Sequence, residues 1–224
     1  MRNFIAMLSF TEENYLKALL HITIEVEHKN AAGTNELAGY LGVKPATATD
    51  MLRKLKEKQL ISYEKYGKIS LSDTGRKKAI EILRKHRLWE TFLYEKLEFT
   101  WDEVHEVAEQ LEHIQSQKLV DKLDKFLGFP EYDPHGDAIP TASGELKPSY
   151  KKTLSEAAEG TTCRMVAVKD NTVAFLKYVS QLELGINTHI DVLSRQPYDG
   201  SMEIAINGKN ITISQKFAEN ILIV

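Results

Sequence analysis

The sequence predicts a mainly α protein that closes with a small β domain, and three observations carry that expectation. Apolar residues recur at helical spacing through most of the first 127 positions, Pro, Gly and Asp crowd residues 128–150, and five short β-prone runs separated by turn signals follow. At 224 residues, with 42% apolar and 27% charged side chains, the chain is long enough for two or three domains and can bury a core. No apolar run approaches the roughly 18 residues of a membrane span. The start, MRNFIAMLSF, lacks the small-residue cleavage pattern of a signal peptide. Cys163 is the only cysteine, which excludes an intrachain disulfide and makes a reducing cytoplasm the expected location.

Ser9 followed by Glu12 has capping-box spacing, and Tyr15, Leu16, Leu19, Leu20 and Ile22 mark the apolar side of a first helix, about Phe10 to Glu27. Thr34 is placed to cap a short helix that turns Leu37, Ala38 and Leu41 inward and ends at Gly42. Pro45 suits the first turn of the next helix, about Pro45 to Lys58, ringed by Arg53, Lys54, Lys56 and Lys58. Two helices joined by a short Gly-containing turn form a helix-turn-helix, and LISYEKYGKISLS adds a hairpin around Tyr66-Gly67-Lys68. That order is a winged helix-turn-helix. Long helices are expected over about 74–97 and 101–127, with Gly128 and Pro130 stopping the second and Trp89 and Trp101 packing the helical domain. GFPEYDPHGDAIPTASGELKPSY reads as irregular linker; CRMVAVK, HIDVLSR, MEIAI, NITIS and NILIV, with a helix near 172–181, read as a small five-stranded barrel that buries Cys163. The expected domains are 1–73, 74–146 and 147–224.

The net charge of −3 conceals a division. Residues 44–87 carry 13 Lys and Arg against 5 Asp and Glu, whereas residues 88–146 carry 4 against 14. A basic block suits a polyanion and an acidic block suits cations, although two solvated faces of unequal charge remain the plain alternative. The acidic block contains WDEVHEVAEQLEH, residues 101–113, with two histidines and five acids. Continued as one helix, it places His105, Glu109, Glu112 and His113 within a sector of about 100° beside the apolar Val104, Ala108 and Leu111. On the preceding helix His86 and Glu90 form an i, i+4 pair. Carboxylates and imidazoles on one face are costly to bury alone, and a divalent cation resolves the conflict; a solvated acidic face is the other reading.

TEENYLKALLHI, the helix-turn-helix with its wing, RKHRLWE, WDEVHEVAEQLEH and GFPEYDPHGDAIP together resemble the diphtheria toxin repressor family of iron- and manganese-responsive repressors. The resemblance runs along almost the whole chain. It implies a homodimer with an N-terminal winged domain, a helical dimerisation and metal-binding domain, and a C-terminal SH3-like barrel of the FeoA type. By position it implies a regulatory metal site at Asn14, Glu109, Glu112 and His113, and a second at His86, Glu90 and His105, completed by Asp170 from the barrel. Glu109 stands where iron-type members often carry Cys, and Asn14 where Asp or Met is common. Lys17 stands where a manganese-type relative can carry an acid. A ligand set rich in hard oxygens favours Mn²⁺ over Fe²⁺ as co-repressor.

The expected partner is pseudo-palindromic operator DNA, with Lys44, Pro45, Thr47, Thr49 and Arg53 on the recognition helix and Lys65 and Lys68 on the wing. The implied function is metal-dependent repression of metal-homeostasis genes, not catalysis. Two other readings stay open from the residues: a winged-helix regulator of an organic ligand, and a carboxylate-bridged metalloenzyme. The second lacks the Glu-x-x-His spacing, since Asp102 and Gln110 precede His105 and His113 by three residues. His135 in DPHGD is a loop brace or a metal ligand.

Overall fold

A computed structural model of the protein describes residues 8–26, 31–63, 67–146 and 152–224. The chain forms two compact units, one of residues 1–86, 111–115 and 140–146, the other of residues 87–110, 116–139 and 147–224.

In the first unit, α1 (Phe10–Leu20) begins with the expected capping box. Ser9 Oγ accepts the Glu12 N–H at 3.3 Å, and Glu12 Oε2 accepts the Ser9 N–H at 2.8 Å. A π-helical turn, His21–Val26, prolongs α1. The next helix, α2 (Thr34–Tyr40), starts one residue earlier than its sequence suggests: Gly33 is the N-cap, and Glu36 Oε2 accepts its N–H at 3.1 Å, so Thr34 is already helical. Gly42, at φ +65°, turns the chain into α3 (Pro45–Glu57), which has Pro at its first position. A hairpin of β1 (Ile61–Tyr63) and β2 (Ile69–Leu71) pairs Ile61 with Leu71, and Ala32 bridges to Ile69. These elements close on a core of Leu16, Leu19, Leu37, Leu52, Leu55 and Ile69, joined by Ala79, Ile80 and Leu83 from α4 (Asp73–Leu97). The expected winged helix-turn-helix is present.

Residues 101–127 do not form one helix. Trp101–Glu103 are a turn, α5 covers Val104–Leu111, and α6 resumes at Gln117–Phe126. The restart has a local cause, since Ser116 Oγ caps α6 by accepting the Leu119 N–H. Glu112 and His113 therefore lie in a turn, and the helical sector that grouped them with His105 and Glu109 ends at Leu111.

In the second unit, Leu88 of α4 packs with Val120 and Leu123 of α6 and with Ile139, Trp89 and Phe92 flanking them. All five expected strands appear: β4 (Thr162–Val168), β5 (His189–Arg195), β6 (Met202–Ile206), β7 (Lys209–Ile213) and β8 (Ile221–Ile223), preceded by a two-residue β3 (Lys152–Thr153). They make one sheet in the order β3-β8-β4-β5-β6-β7, six strands where five were expected. Helix α7 (Val173–Gln181) falls at the expected place, and α8 (Gln215–Ala218) precedes β8. Cys163 is buried in this core, as expected. Trp101 departs from expectation, because its ring joins the same core and its Nε1–H donates to Ser180 Oγ at 2.8 Å. Its indole is satisfied by the β domain, not by the helical core.

The loop before the β domain is seated by Gly136. At φ +82° it occupies the left-handed region, and a Cβ would overlap the carbonyl oxygen of Val166 in β4. Gly136→Ala should therefore destabilise the protein by about 3 kcal/mol or more, read as a shift of the urea midpoint. A loss below about 1 kcal/mol would mean that the loop lifts off β4 without consequence.

Candidate metal centre and DNA-facing helix

In the first unit α1 meets the turn at Glu112–His113 through Lys17–Glu112 and Glu13–His113. Glu112 has no exposed surface. Its Oε2 accepts from Lys17 Nζ at 2.7 Å and from His86 Nδ1 at 2.6 Å. Among the described residues its Oε1 is buried without a hydrogen-bond partner, and so is Oδ1 of Asn14. Burial pushes the Glu112 carboxyl up, but the His86 hydrogen bond and the Lys17 charge outweigh it and hold the group below the usual carboxylate range. Nearby, the Lys85 ammonium is lowered by burial against the pull of Glu13 and Glu112.

His113 is oriented with equal care. Its Nδ1 lies 2.6 Å from Glu13 Oε2, Gln115 Nε2 donates to Glu13 Oε1 at 2.6 Å, and Phe10 stacks on the ring at 4.4 Å and 10°. A carboxylate on Nδ1 assigns the proton there and leaves the Nε2 lone pair available. That Nε2 is 4.0 Å from the unpartnered Glu112 Oε1.

The second unit holds the other expected acids and His105. His105 Nδ1 is 3.2 Å from Glu90 Oε1, and His105 Nε2 is 3.6 Å from Glu109 Oε1. The near neighbour that sequence reasoning left undecided is His135. With Glu90 and Asp133 it forms a buried trio whose ligand-capable atoms all lie within 4.8 Å of one another. His135 also braces its loop, donating Nε2–H to the Trp101 carbonyl at 2.8 Å and accepting the Val168 N–H on its own carbonyl. Burial lowers the imidazole, but Glu90, Asp133 and the Trp101 carbonyl overcome that and raise it to about 9. Burial, Asp137 and Glu90 raise Asp133 to about 7 against Arg87 and His135.

Asp170 is not drawn into any of these groups among the described residues. Its Oδ1 turns back to accept the Thr172 N–H at 2.9 Å ahead of α7. His86 Nδ1 lies 2.6 Å from Glu112 Oε2.

On α3 the pattern is that of a half-buried helix. Ala48, Leu52 and Leu55 face the core, while Lys44, Pro45, Thr47, Thr49 and Arg53 are all exposed. Thr49 Oγ1 bonds back to the Pro45 carbonyl at 2.9 Å, and Arg53 sits 3.6 Å from Asp50. On the wing Lys68 is exposed, and Lys65 lies outside the described residues.

Three family models tile the chain: the iron dependent repressor N-terminal DNA binding domain over residues 7–69, the iron dependent repressor metal binding and dimerisation domain over 72–141, and the FeoA domain over 152–224. A solved structure described as a manganese-dependent transcriptional repressor in complex with manganese matches at a TM-score of 0.83 and 34% identity, covering 95% of this chain and 99% of that one. The chain belongs to the iron-dependent repressor family. Its members are DNA-binding transcriptional repressors. Among curated relatives, the iron-dependent repressor IdeR of Mycobacterium leprae is 29% identical over 70% of this chain and 64% of its own length. A probable metal transport system membrane protein of Chlamydia trachomatis is 33% identical over 60% of this chain, which spans 30% of that relative's length. Among the described residues here, no helix is long and apolar enough to cross a membrane.

Within this family frame, sequence reasoning overlooked Glu13 and Gln115, which position His113. Glu13 carried one available signal, its place beside Asn14 on the helix expected to supply a ligand. Gln115 carried none, because it meets Glu13 only after the chain has folded. The donor set fits a divalent ion on one observation: among the described residues two buried oxygens, Asn14 Oδ1 and Glu112 Oε1, have no hydrogen-bond partner, and an imidazole nitrogen lies 4.0 Å from the second of them.

Proposed function

We propose that this protein is a metal-dependent transcriptional repressor whose co-repressor is Mn²⁺, with Fe²⁺ as the alternative ion, and that it controls metal-homeostasis genes from the cytoplasm. The unpartnered Asn14 Oδ1 and Glu112 Oε1 carry the reading, because buried acceptors without donors are rare unless a cation or water completes them. Asn14, Glu112 and His113 would hold the ion, and the sequence adds Glu109. Glu90 and His105, 3.2 Å apart in their own unit, are candidates for a second ion, and Glu109 lies 3.6 Å from His105. His86, on the same helix as Glu90, is the remaining candidate from the sequence. One amide oxygen, carboxylates and imidazole without thiolate suit Mn²⁺ and Fe²⁺ better than soft ions, and the matched relatives include a manganese-dependent and an iron-dependent repressor.

A divalent ion supplies the positive charge that Glu112 Oε1 and Asn14 Oδ1 lack. The residues do the rest. Asn14 lies on the helix that enters the winged domain, and Glu112 and His113 lie in a turn between α5 and α6, so joining them restrains α1 and the fold that carries α3. In a homodimer two such restrained domains would present α3 to half-sites about one helical turn, ~34 Å, apart. Ordering them before binding removes an entropic cost and shifts the population toward the competent state. Lys44, Pro45, Thr47, Thr49 and Arg53, with Lys65 and Lys68 on the wing, would meet phosphates and base edges.

A gel-shift titration on a selected pseudo-palindromic operator tests this reading. Binding should require Mn²⁺ or Fe²⁺, disappear with chelator, and weaken steeply with salt, by about 10³-fold or more between 50 and 200 mM if six or more phosphates are contacted. Equal binding with and without chelator would favour a regulator of another ligand.

A further inference from the structure

The first site contains its own cation. Lys17 Nζ lies 2.7 Å from Glu112 Oε2, with the lysine side chain 15% exposed and the carboxylate fully enclosed. His86 Nδ1 shares that oxygen at 2.6 Å, while Oε1, on the other side of the same carboxylate, has no donor among the described residues. The carboxylate is thus divided: one oxygen belongs to groups of the protein and the other is left for something else. We propose that Lys17 is a tethered counter-cation of the metal site, which holds Glu112 in place before any metal arrives and lowers the affinity of the ion that follows.

The inference rests on the metal-site reading above and follows from charge and geometry. An enclosed carboxylate without a cation is expensive, so a site that must persist in metal-free protein needs a substitute charge. Lys17 supplies it from α1, the helix that also carries Asn14, and so keeps the turn at Glu112 against α1 without metal. The same ammonium stands against a divalent ion twice. It withholds Oε2 from coordination, and its charge repels the incoming one at short range, where solvent screens little. His86 supports the same oxygen, but an imidazole that donates Nδ1–H gains its charge only with a second proton, whereas an ammonium carries its charge with its donors. Lys17 thereby sets the metal concentration at which the site fills, and makes the metal-free protein less loose than bare clustered carboxylates would.

The test compares the full-length protein with Lys17→Met and Lys17→Arg, using Mn²⁺ titration by calorimetry and thermal unfolding in chelator. Lys17→Met should bind Mn²⁺ about tenfold more tightly, or about 1.4 kcal/mol, while its metal-free melting temperature falls. Lys17→Arg, which keeps the charge, should stay within about twofold of the parent in affinity. A merely structural ion pair predicts the opposite sign, since damage to the site weakens binding. Unchanged or weaker Mn²⁺ binding by Lys17→Met overturns the proposal. Should that variant be unfolded without metal, Lys17→Gln, which retains a donor without charge, is titrated in its place, with tightening in support and an unmoved midpoint against. A parent protein that binds neither Mn²⁺ nor Fe²⁺ overturns the metal-site reading itself, which separates the two failures.

Discussion

Glu112→Gln should abolish metal-dependent operator binding while leaving the protein folded. The amide has the shape of the carboxylate, and its carbonyl oxygen can still accept from Lys17 and His86, which now meet at Oε2. Its NH₂ must then point where the partnerless Oε1 is, presenting two donors to the place where a cation would sit. Loss of groups that merely support a metal ligand costs about 10–100-fold in affinity, so losing a ligand and reversing its polarity should cost about 100-fold or more. Gel shift and metal titration read the two consequences together. Operator binding by Glu112→Gln at the metal concentrations that serve the parent would remove Glu112 from the site.

Arg87→Met should be the most destabilising of the substitutions, costing about 3–5 kcal/mol. Arg87 is buried in the second unit, where Nη1 donates to the Ala138 carbonyl at 2.7 Å. Its guanidinium lies 3.4 Å from Asp133 Oδ2 and 3.6 Å from Asp137 Oδ2. Without it, Asp133 stays enclosed beside Asp137 and Glu90, the two carboxylates that already raise it, and loses its strongest opposing charge. Methionine fills much of the volume but cannot satisfy the Ala138 carbonyl. Adding Asp133→Asn should recover more than half of the loss, because an Asn oxygen still accepts the His135 and Asp137 N–H groups now bonded to Asp133 Oδ1 at 2.8 and 2.9 Å. Urea unfolding in chelator measures both variants. A single-variant loss under about 1 kcal/mol would mean that water reaches Asp133 freely.

Much of the architecture was legible because its signals are local. Ser9 and Glu12 satisfy each other across three residues, Pro45 suits the first turn of a helix, and alternating apolar residues in 162–168 and 189–195 read as strands wherever they lie. The misreadings occur where two local signals compete. Apolar spacing continues through residues 101–127, yet Ser116 caps a new helix, and the chain before it, with Glu112 and His113, is a turn and not part of one long helix. Gly33 took the cap that Thr34 was suited to, because Glu36 reached the N–H of the earlier residue.

By itself the sequence determined which chemistry was available: a helix ringed with lysine and arginine, an acidic segment with histidines, and a β-prone end, all properties of residue type and short-range order. Only the tertiary structure decided how those groups spend their bonds. Glu112 meets Lys17 across 95 positions and His113 meets Glu13 across 100, and no periodicity reports such distances. The reason is physical: a buried carboxylate takes whichever donors the packing of α1 and the turn brings within about 3 Å, so its partners are fixed by the closed core and not by its neighbours in the chain.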